Sequence, residues 1–291
     1  MYACRHAPRR AVARVTGGST CRPVYRGDGR GMDIEDIKRR VLTQRMHRYP
    51  DVGPDLAGAG TARFRQETGR LRVAFASIRP GREAVAVDQV QRFARQRGIE
   101  TQWIVVPERP GEGNLPQALH AAGFRLDENL LLMAHEGFVS APHNPMVTTS
   151  IIETQQAMWQ YEYGSRQAFF DEESPAELGV SQRERERWRE HENGWCRYYS
   201  AQIAGRSVGG CYVSLFEEVP TILGVYTVAS ARRHGVATAL LERVISDLAH
   251  NGRWISCLFV KHGNPAERLY RQLGFAPLMD EQTWVWAPWQ S

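Results

Sequence analysis

A β-like run, Thr221-Ile-Leu-Gly-Val-Tyr-Thr-Val228, passes through Ala229 to Ala231 into Arg232-Arg-His-Gly-Val-Ala237. Apolar residues at 237, 240, 241, 244, 245 and 248 then recur at the i, i+3, i+4 spacing of a helix with one buried face. A strand, a glycine turn and a helix in this order can bind an anion. The first-turn N–H groups of a helix have no partner within it, the macrodipole puts partial positive charge there, and Gly235 lets a ligand come close to the backbone. A phosphate is the expected guest. The segment has neither the Gly-Lys-Ser/Thr ending of a P-loop nor the GxGxxG of a dinucleotide fold.

The second constellation is Asn264-Pro-Ala-Glu-Arg-Leu-Tyr-Arg-Gln-Leu-Gly-Phe275. Asn264 suits a helix N-cap, Pro265 the first helical position and Gly274 the stop. Capping alone accounts for Asn264, and Tyr270 taken alone reads as a buried aromatic. Cys4, Cys21, Cys196, Cys211 and Cys257 are odd in number and form no CxxC pair, so neither a disulfide framework nor a metal site is indicated. Cys211 and Cys257 fall in β-like runs and read as small core residues.

The elements that must position these residues follow from periodicity. Helices are expected over 33–48, 83–97, 115–122, 153–170, 181–190, 237–249 and 265–273, and strands over 71–77, 102–106, 129–135, 195–203, 207–216, 221–228, 254–260 and 283–287. Residues 49–60 read as a Pro/Gly/Asp-rich loop, and 141–145 as a connector between two halves. The halves echo one another: Ala118-Leu-His-Ala-Ala-Gly-Phe124 parallels Leu269-Tyr-Arg-Gln-Leu-Gly-Phe275, and the helix ends at Gly98 and Gly252 are similarly spaced. The expected class is α/β with a mixed, α+β-like sheet, in two tandem units.

With these residues in place, the chain resembles the GNAT superfamily of N-acetyltransferases, whose acetyl-CoA turn has the form R/Q-x-x-G-x-A/G, matched here by Arg232-x-x-Gly235-x-Ala237. The resemblance covers Val147 to Trp286. It implies that Arg233, His234, Gly235, Val236, Ala237 and Thr238, with Arg232, surround the CoA pyrophosphate, and that Tyr226, Thr227 and Val228 border the cofactor on the strand. It implies that Asn264 contacts the cofactor arm and that Tyr270 is the general acid for the departing thiolate. A phenol suits that role, with an ordinary pKa near 10. An attacking amine needs a base, and Glu217 and Glu218, which enter the strand through Val219-Pro220, are the nearest candidates; Tyr161, Glu162, Tyr163 and Arg166 are candidates for the acceptor pocket. The resemblance implies domains at 32–140 and 147–291, the first a degenerate copy with Leu119 at the position of Tyr270, as in tandem members such as mycothiol synthases. The implied activity is transfer of acetyl from acetyl-CoA to a primary amine in a ternary complex. A CoA-binding regulatory or scaffold protein without turnover is the alternative.

Charge bears on partners. Residues 1–31 hold seven arginines against one acid, Asp28, which more than accounts for the chain's formal +5 and leaves the rest nearly neutral. A nucleic-acid partner is not expected, because phosphate binding needs a basic surface on the folded module itself. No apolar run is long enough to span a bilayer, so no membrane partner is expected. Two lysines among 37 basic residues suggest GC-rich coding and a bacterial source, and the cysteines suit a cytoplasmic location. The stretch 1–31 reads as a disordered basic extension, with Met32 as a possible start. Its deletion should leave melting temperature and CoA affinity unchanged, as checked by thermal unfolding and calorimetry.

Overall fold

A computed structural model of the chain describes residues 33–47, 49, 51–52, 56–67, 70–107, 114–140, 144–170, 182–215 and 218–287. The basic extension, residues 141–143 of the connector and Glu217 lie outside the described residues.

Met32–Ser291 form a single compact unit. Its first half runs α1 (Ile34–His47), β1 (Asp51–Val52), β2 (Gly60–Glu67), β3 (Arg70–Ile78), α2 (Glu83–Gln96), β4 (Thr101–Pro107), α3 (Leu115–Ala121) and β5 (Arg125–Glu136). The second runs β6 (Val147–Ile151), α4 (Gln155–Phe170), α5 (Gln182–Glu192), β7 (Cys196–Ile203), β8 (Arg206–Ser214), β9 (Thr221–Thr227), a 3-10 turn (Ala229–Ala231), α6 (Val236–His250), β10 (Ile255–Lys261), α7 (Ala266–Gln272) and β11 (Ala276–Trp286). Helices α2, α3, α6 and α7 are each followed by a left-handed glycine, at 98, 123, 252 and 274, which closes the helix without a Cβ penalty. Three strands escape the sequence reading, among them the two-residue β1 inside the stretch read as a loop. In β2, buried Ala62 and half-buried Phe64 alternate with polar neighbours too briefly to stand out, and β6 is a short edge strand.

All eleven strands join one mixed sheet in the order β1-β2-β3-β4-β11-β5-β10-β9-β8-β7-β6. The expected mixed-sheet α/β class is what the structure has. The order β2, β3, α2, β4, α3, β5 recurs as β8, β9, α6, β10, α7, β11, with the same pairing sense: antiparallel for β2–β3 and β8–β9, parallel for β3–β4 and β9–β10. The final strands are exchanged. β11 lies between β4 and β5, and β5 lies between β11 and β10, all antiparallel. The glycines that end α3 and α7 reflect the exchange. Gly123 lies against the Trp286 ring of β11, while Gly274 lies against His135 of β5.

The pleat assigns the faces. Leu131 and Met133 of β5 pack with α6, whereas Leu132 and Ala134 pack with Ile37 and Val41 of α1, so α1 and α6 cover opposite faces. Gly209 and Gly210 of β8 separate the two faces again. A Cβ on Gly209 would stand 2.6 Å from Val236 of α6, and one on Gly210 2.7 Å from the Tyr161 ring of α4. The strand accepts a helix on each side because both side chains are missing. Cys196, Cys211 and Cys257 are free and buried, as the sequence reading expected of the latter two.

Because β10 takes β5 as its neighbour, a fragment spanning 147–291 would expose an unpaired β10 edge. It should be insoluble or molten alone and should recover cooperative unfolding when co-expressed with 32–146, as checked by near-UV circular dichroism and thermal melts.

Candidate functional site

Strands β9 and β10 are paired only at Cys257↔Thr221 and Leu258↔Ile222. The corresponding strands of the first half, β3 and β4, stay paired over five residues, from Arg70↔Thr101 to Ala74↔Val105. On its other side β9 slips register against β8 between Gly210 and Tyr212, and Gly224 at φ +59° occupies the bulge. A side chain there would be strained in this conformation and would also meet the Tyr212 ring at 3.1 Å. Bulge and lost pairing together open a wedge at the C-terminal end of β9.

That wedge is a cleft of about 540 Å³. Its walls are Leu223 to Thr227 of β9, Leu258 to Lys261 of β10, Arg232 and Ala237 at the entry to α6, and Asn264, Leu269 and Tyr270 around α7. Ala168 and Phe169 of α4 and Leu130 of β5 complete it. Arg232 and Lys261 are the cations on this lining. Lys261 is paired to Glu128 at 2.9 Å, and that hydrogen bond holds its pKa above the ordinary lysine value.

The entry to α6 is built for an anion. Arg233 and Gly235 are both left-handed, at φ +68° and +77°, and Gly235 is the N-cap residue with no side chain capping the helix. The first-turn N–H groups therefore keep their donor capacity, next to the positive end of a fifteen-residue helix. A non-glycine residue in the left-handed region costs about 1 kcal/mol or more, and such strain concentrates at ligand sites. The position of a Cβ on Gly235 points toward Asn144, at 3.3 Å from its backbone nitrogen. The backbone angle and this packing are thus the visible reasons for glycine at 235.

Tyr270 is 6% exposed and lines the cleft. Burial pushes its phenol up to about 12, so it is fully protonated at neutral pH. Asn264 accepts a hydrogen bond at Oδ1 from the Ala266 N–H at 2.9 Å, which is the capping role, and its NH₂ can still donate to a ligand. Among the residues expected around the cofactor, Tyr226, Thr227, Arg232, Ala237 and Asn264 line the cleft. Val228, Arg233, His234, Gly235, Val236 and Thr238 do not, and Val236 is a core residue against Gly209. Tyr226 contributes backbone more than side chain. Its hydroxyl is buried and donates to the Tyr161 carbonyl at 2.9 Å, and burial drives its pKa up.

The expected bases fall elsewhere. Glu218 is exposed, bonded to Arg40 of α1 at 2.9 Å, in the loop before the paired end of β9. Glu217 lies outside the described residues. The acceptor candidates on α4 are also turned away: Tyr161 is buried, Glu162 forms a buried ion pair with Arg187 of α5, and Tyr163 accepts a hydrogen bond from Gln167 at 3.0 Å. The α4 residues that reach the cleft are Ala168 and Phe169, one to two turns later. Leu130 comes from the first half, and nothing in its local sequence marks it for a site formed by residues a hundred positions away.

Residues 156–275 match the profile of the acetyltransferase (GNAT) family. The match spans the second half up to Phe275 and contains the whole β9–α6 turn and Tyr270. No curated protein matches the chain in sequence. Among solved structures, a GCN5-related N-acetyltransferase from Kribbella flavida is 16% identical with a TM-score of 0.60, covering 84% of this chain and 94% of that one. A GCN5-related N-acetyltransferase from Sphaerobacter thermophilus is 18% identical with a TM-score of 0.60, covering 78% and 76%. A tandem GNAT protein from the clavulanic acid biosynthesis pathway is 16% identical with a TM-score of 0.53, covering 80% of each. These likenesses show the fold of the acetyltransferase domain, and they extend into the first half of the chain.

Glu162 and Arg187 tie α4 to α5 away from the cleft. Replacing Glu162 by Ala leaves a mostly buried guanidinium unpaired and should cost about 3–5 kcal/mol of stability. Urea denaturation should show the loss, with KM for acetyl-CoA unchanged.

Proposed function

We propose that the protein is an acyl-CoA-dependent N-acyltransferase that moves acetyl from acetyl-CoA to a primary amine by direct attack. The observation that carries this reading is the meeting, at one cleft, of an uncapped α6 N-terminus, an interrupted β9–β10 ladder and a buried, protonated Tyr270. The family of residues 156–275 implies acyl-CoA-dependent N-acyl transfer in general.

Each feature has a task on this reading. The first-turn amides of α6 and the Arg232 guanidinium hold the pyrophosphate. The unpaired edge of β9 offers N–H and C=O groups to an amide-bearing arm lying along it. Acetyl-CoA supplies the activated acyl group. The amine nitrogen attacks the thioester carbonyl carbon, the C–S bond breaks, and Tyr270 Oη gives its proton to the sulfur. The proton lost from nitrogen leaves through a carboxylate or water, and solvent re-protonates Tyr270.

The first half, by this proposal, is a degenerate second copy. The repeated element order and the exchanged strands support it. At the entry to α2 the buried Glu83 accepts a hydrogen bond from the Gly81 N–H at 3.1 Å, so a carboxylate already occupies the place an anionic ligand would take. Leu119 stands where α7 has Tyr270, and β3 and β4 stay paired. These features remove the anion site, the acid and the wedge together.

Tyr270→Phe should lower turnover roughly a hundred- to ten-thousand-fold with little change in CoA affinity, since the ring still packs and only the proton donor is lost. Stopped-flow thiol release and calorimetry separate the two effects. The buried phenol loses its proton near pH 12 rather than near 10, so its ionisation should cause no decline in rate below about pH 11. Turnover of the Phe variant at the wild-type rate, with chemistry limiting, would favour a CoA-binding protein without catalysis.

A further inference from the structure

A second pocket adjoins the cleft and is formed almost entirely by the first half. Its volume is about 250 Å³, and it shares Leu130 with the cleft. The pleat places it on the sheet face opposite α2 and α6. Trp103 and Val105 on its wall alternate with Ile104, which packs on α2, and Glu128 and Leu130 have the parity of Leu132, which packs on α1. α4 covers this same face, and its Ala168 and Phe169 line the cleft.

The pocket's cations, Arg65 and Arg72, come from β2 and β3, and its acids, Asp127, Glu128 and Glu281, from β5 and β11. Arg65 and Arg72 are direct cross-strand partners in the β2–β3 register, and Arg72 is in register with Trp103, whose ring lies 5.7 Å from its guanidinium. Like charges facing each other across a ladder destabilise it, and a carboxylate beside Arg72 would relieve that repulsion. Glu190 of α5 is close enough to Arg65 to lower its own pKa through that charge, although burial raises the carboxyl overall. Arg72 makes no ion pair among the described residues. At the other end stands Glu281 of β11, 2% exposed and in register with Leu130, which is itself in register with Lys261 of the cleft wall. Arg72 and Glu281 are two strands and four residues apart, roughly 16 Å between Cα atoms, a gap their side chains narrow to the span of a small molecule.

We infer that this pocket is the acceptor subsite and that the acceptor is a small amino acid-like zwitterion, its carboxylate on Arg72 and Arg65 and its amine beside Glu281, facing Leu130 and the cleft. The inference rests on the acyl-transfer reading for the identity of the second substrate. The volume falls below the ~300–1,000 Å³ of pockets for drug-sized ligands and suits a small acceptor group. Arg72 and Arg65 are specificity residues here, and the degenerate half serves as the substrate-selecting half.

The test uses the full-length protein, acetyl-CoA, the common L-amino acids and their C-terminal amides, compared at equal concentrations of free amine. At least one amino acid should show a kcat/KM ten- to a hundredfold above its amide. Arg72→Gln should remove that preference while leaving CoA affinity by calorimetry unchanged, which also reports on folding. Amides used as well as or better than acids, or an unchanged preference in Arg72→Gln, would overturn the inference and leave acyl transfer standing. If CoA binds but no acceptor releases thiol, the acyl-transfer reading fails. Equilibrium dialysis against the labelled amino-acid mixture then decides the pocket: retention by the wild type and not by Arg72→Gln supports the zwitterion site, and no retention by either refutes it.

Discussion

The exchange of final strands is the constraint on which this molecule depends. β5 and β11 pair with each other, and each also pairs with the preceding strand of the opposite half, β10 and β4, so four antiparallel strands, β4-β11-β5-β10, form the middle of the sheet. Along one edge β10 is paired over its whole length, Ile255 to Lys261, with a strand from residues 125–136. The contact at Gly274 and His135, mirrored at Gly123 and Trp286, fixes how closely each closing helix approaches its borrowed strand. A half can therefore lose its own chemistry without losing its place in the structure.

The cleft opens where the parallel ladder between β9 and β10 stops short. Two paired residues between β9 and β10 hold the strands together at one end, and the Gly224 bulge turns β9 aside. Unsatisfied strand edges are costly when dry, so an opening of this kind persists where water or a ligand takes up the hydrogen bonds. In the first half the same two strand positions remain paired, and Glu83 fills the helix entry. The contrast shows how few residues separate a splayed strand pair from a plain βαβ unit.

The turn and its helix were readable in the sequence because their signals are local: a glycine needed at positive φ, an apolar stripe at helical spacing, and a proline at a helix start. The mixed-sheet class followed from the order of such signals. Asn264 was readable as a cap, and its hydrogen bond to Ala266 shows that capping is its structural task. The candidates on α4 were misplaced because a residue's angle around a helix is set by the partner it packs on. Glu162 turns toward Arg187, which no local pattern announces. Glu218 looked close to the strand in sequence, but α1 folds back to offer it Arg40. Strands β2 and β6, the strand exchange and the arrival of Leu130 depend on pairings between distant segments, and a single sequence carries no periodicity for those.

Adjacent glycines at 209 and 210 have a consequence for traffic through the site. The sheet is thinnest there, with α6 seated on one face and α4 on the other at neighbouring positions of the same strand. The cleft beside it takes Ala237 and Tyr270 from elements of one face and Phe169 from the other. Its lining is therefore drawn from both faces of the layer and not from one surface alone. On the acyl-transfer reading, two reactants approaching from opposite faces would meet between the strands, and neither would have to leave before the other arrived. That reading asks for no relay through an acylated side chain, and the buried thiol of Cys211, its pKa driven up by burial, is poorly suited to one.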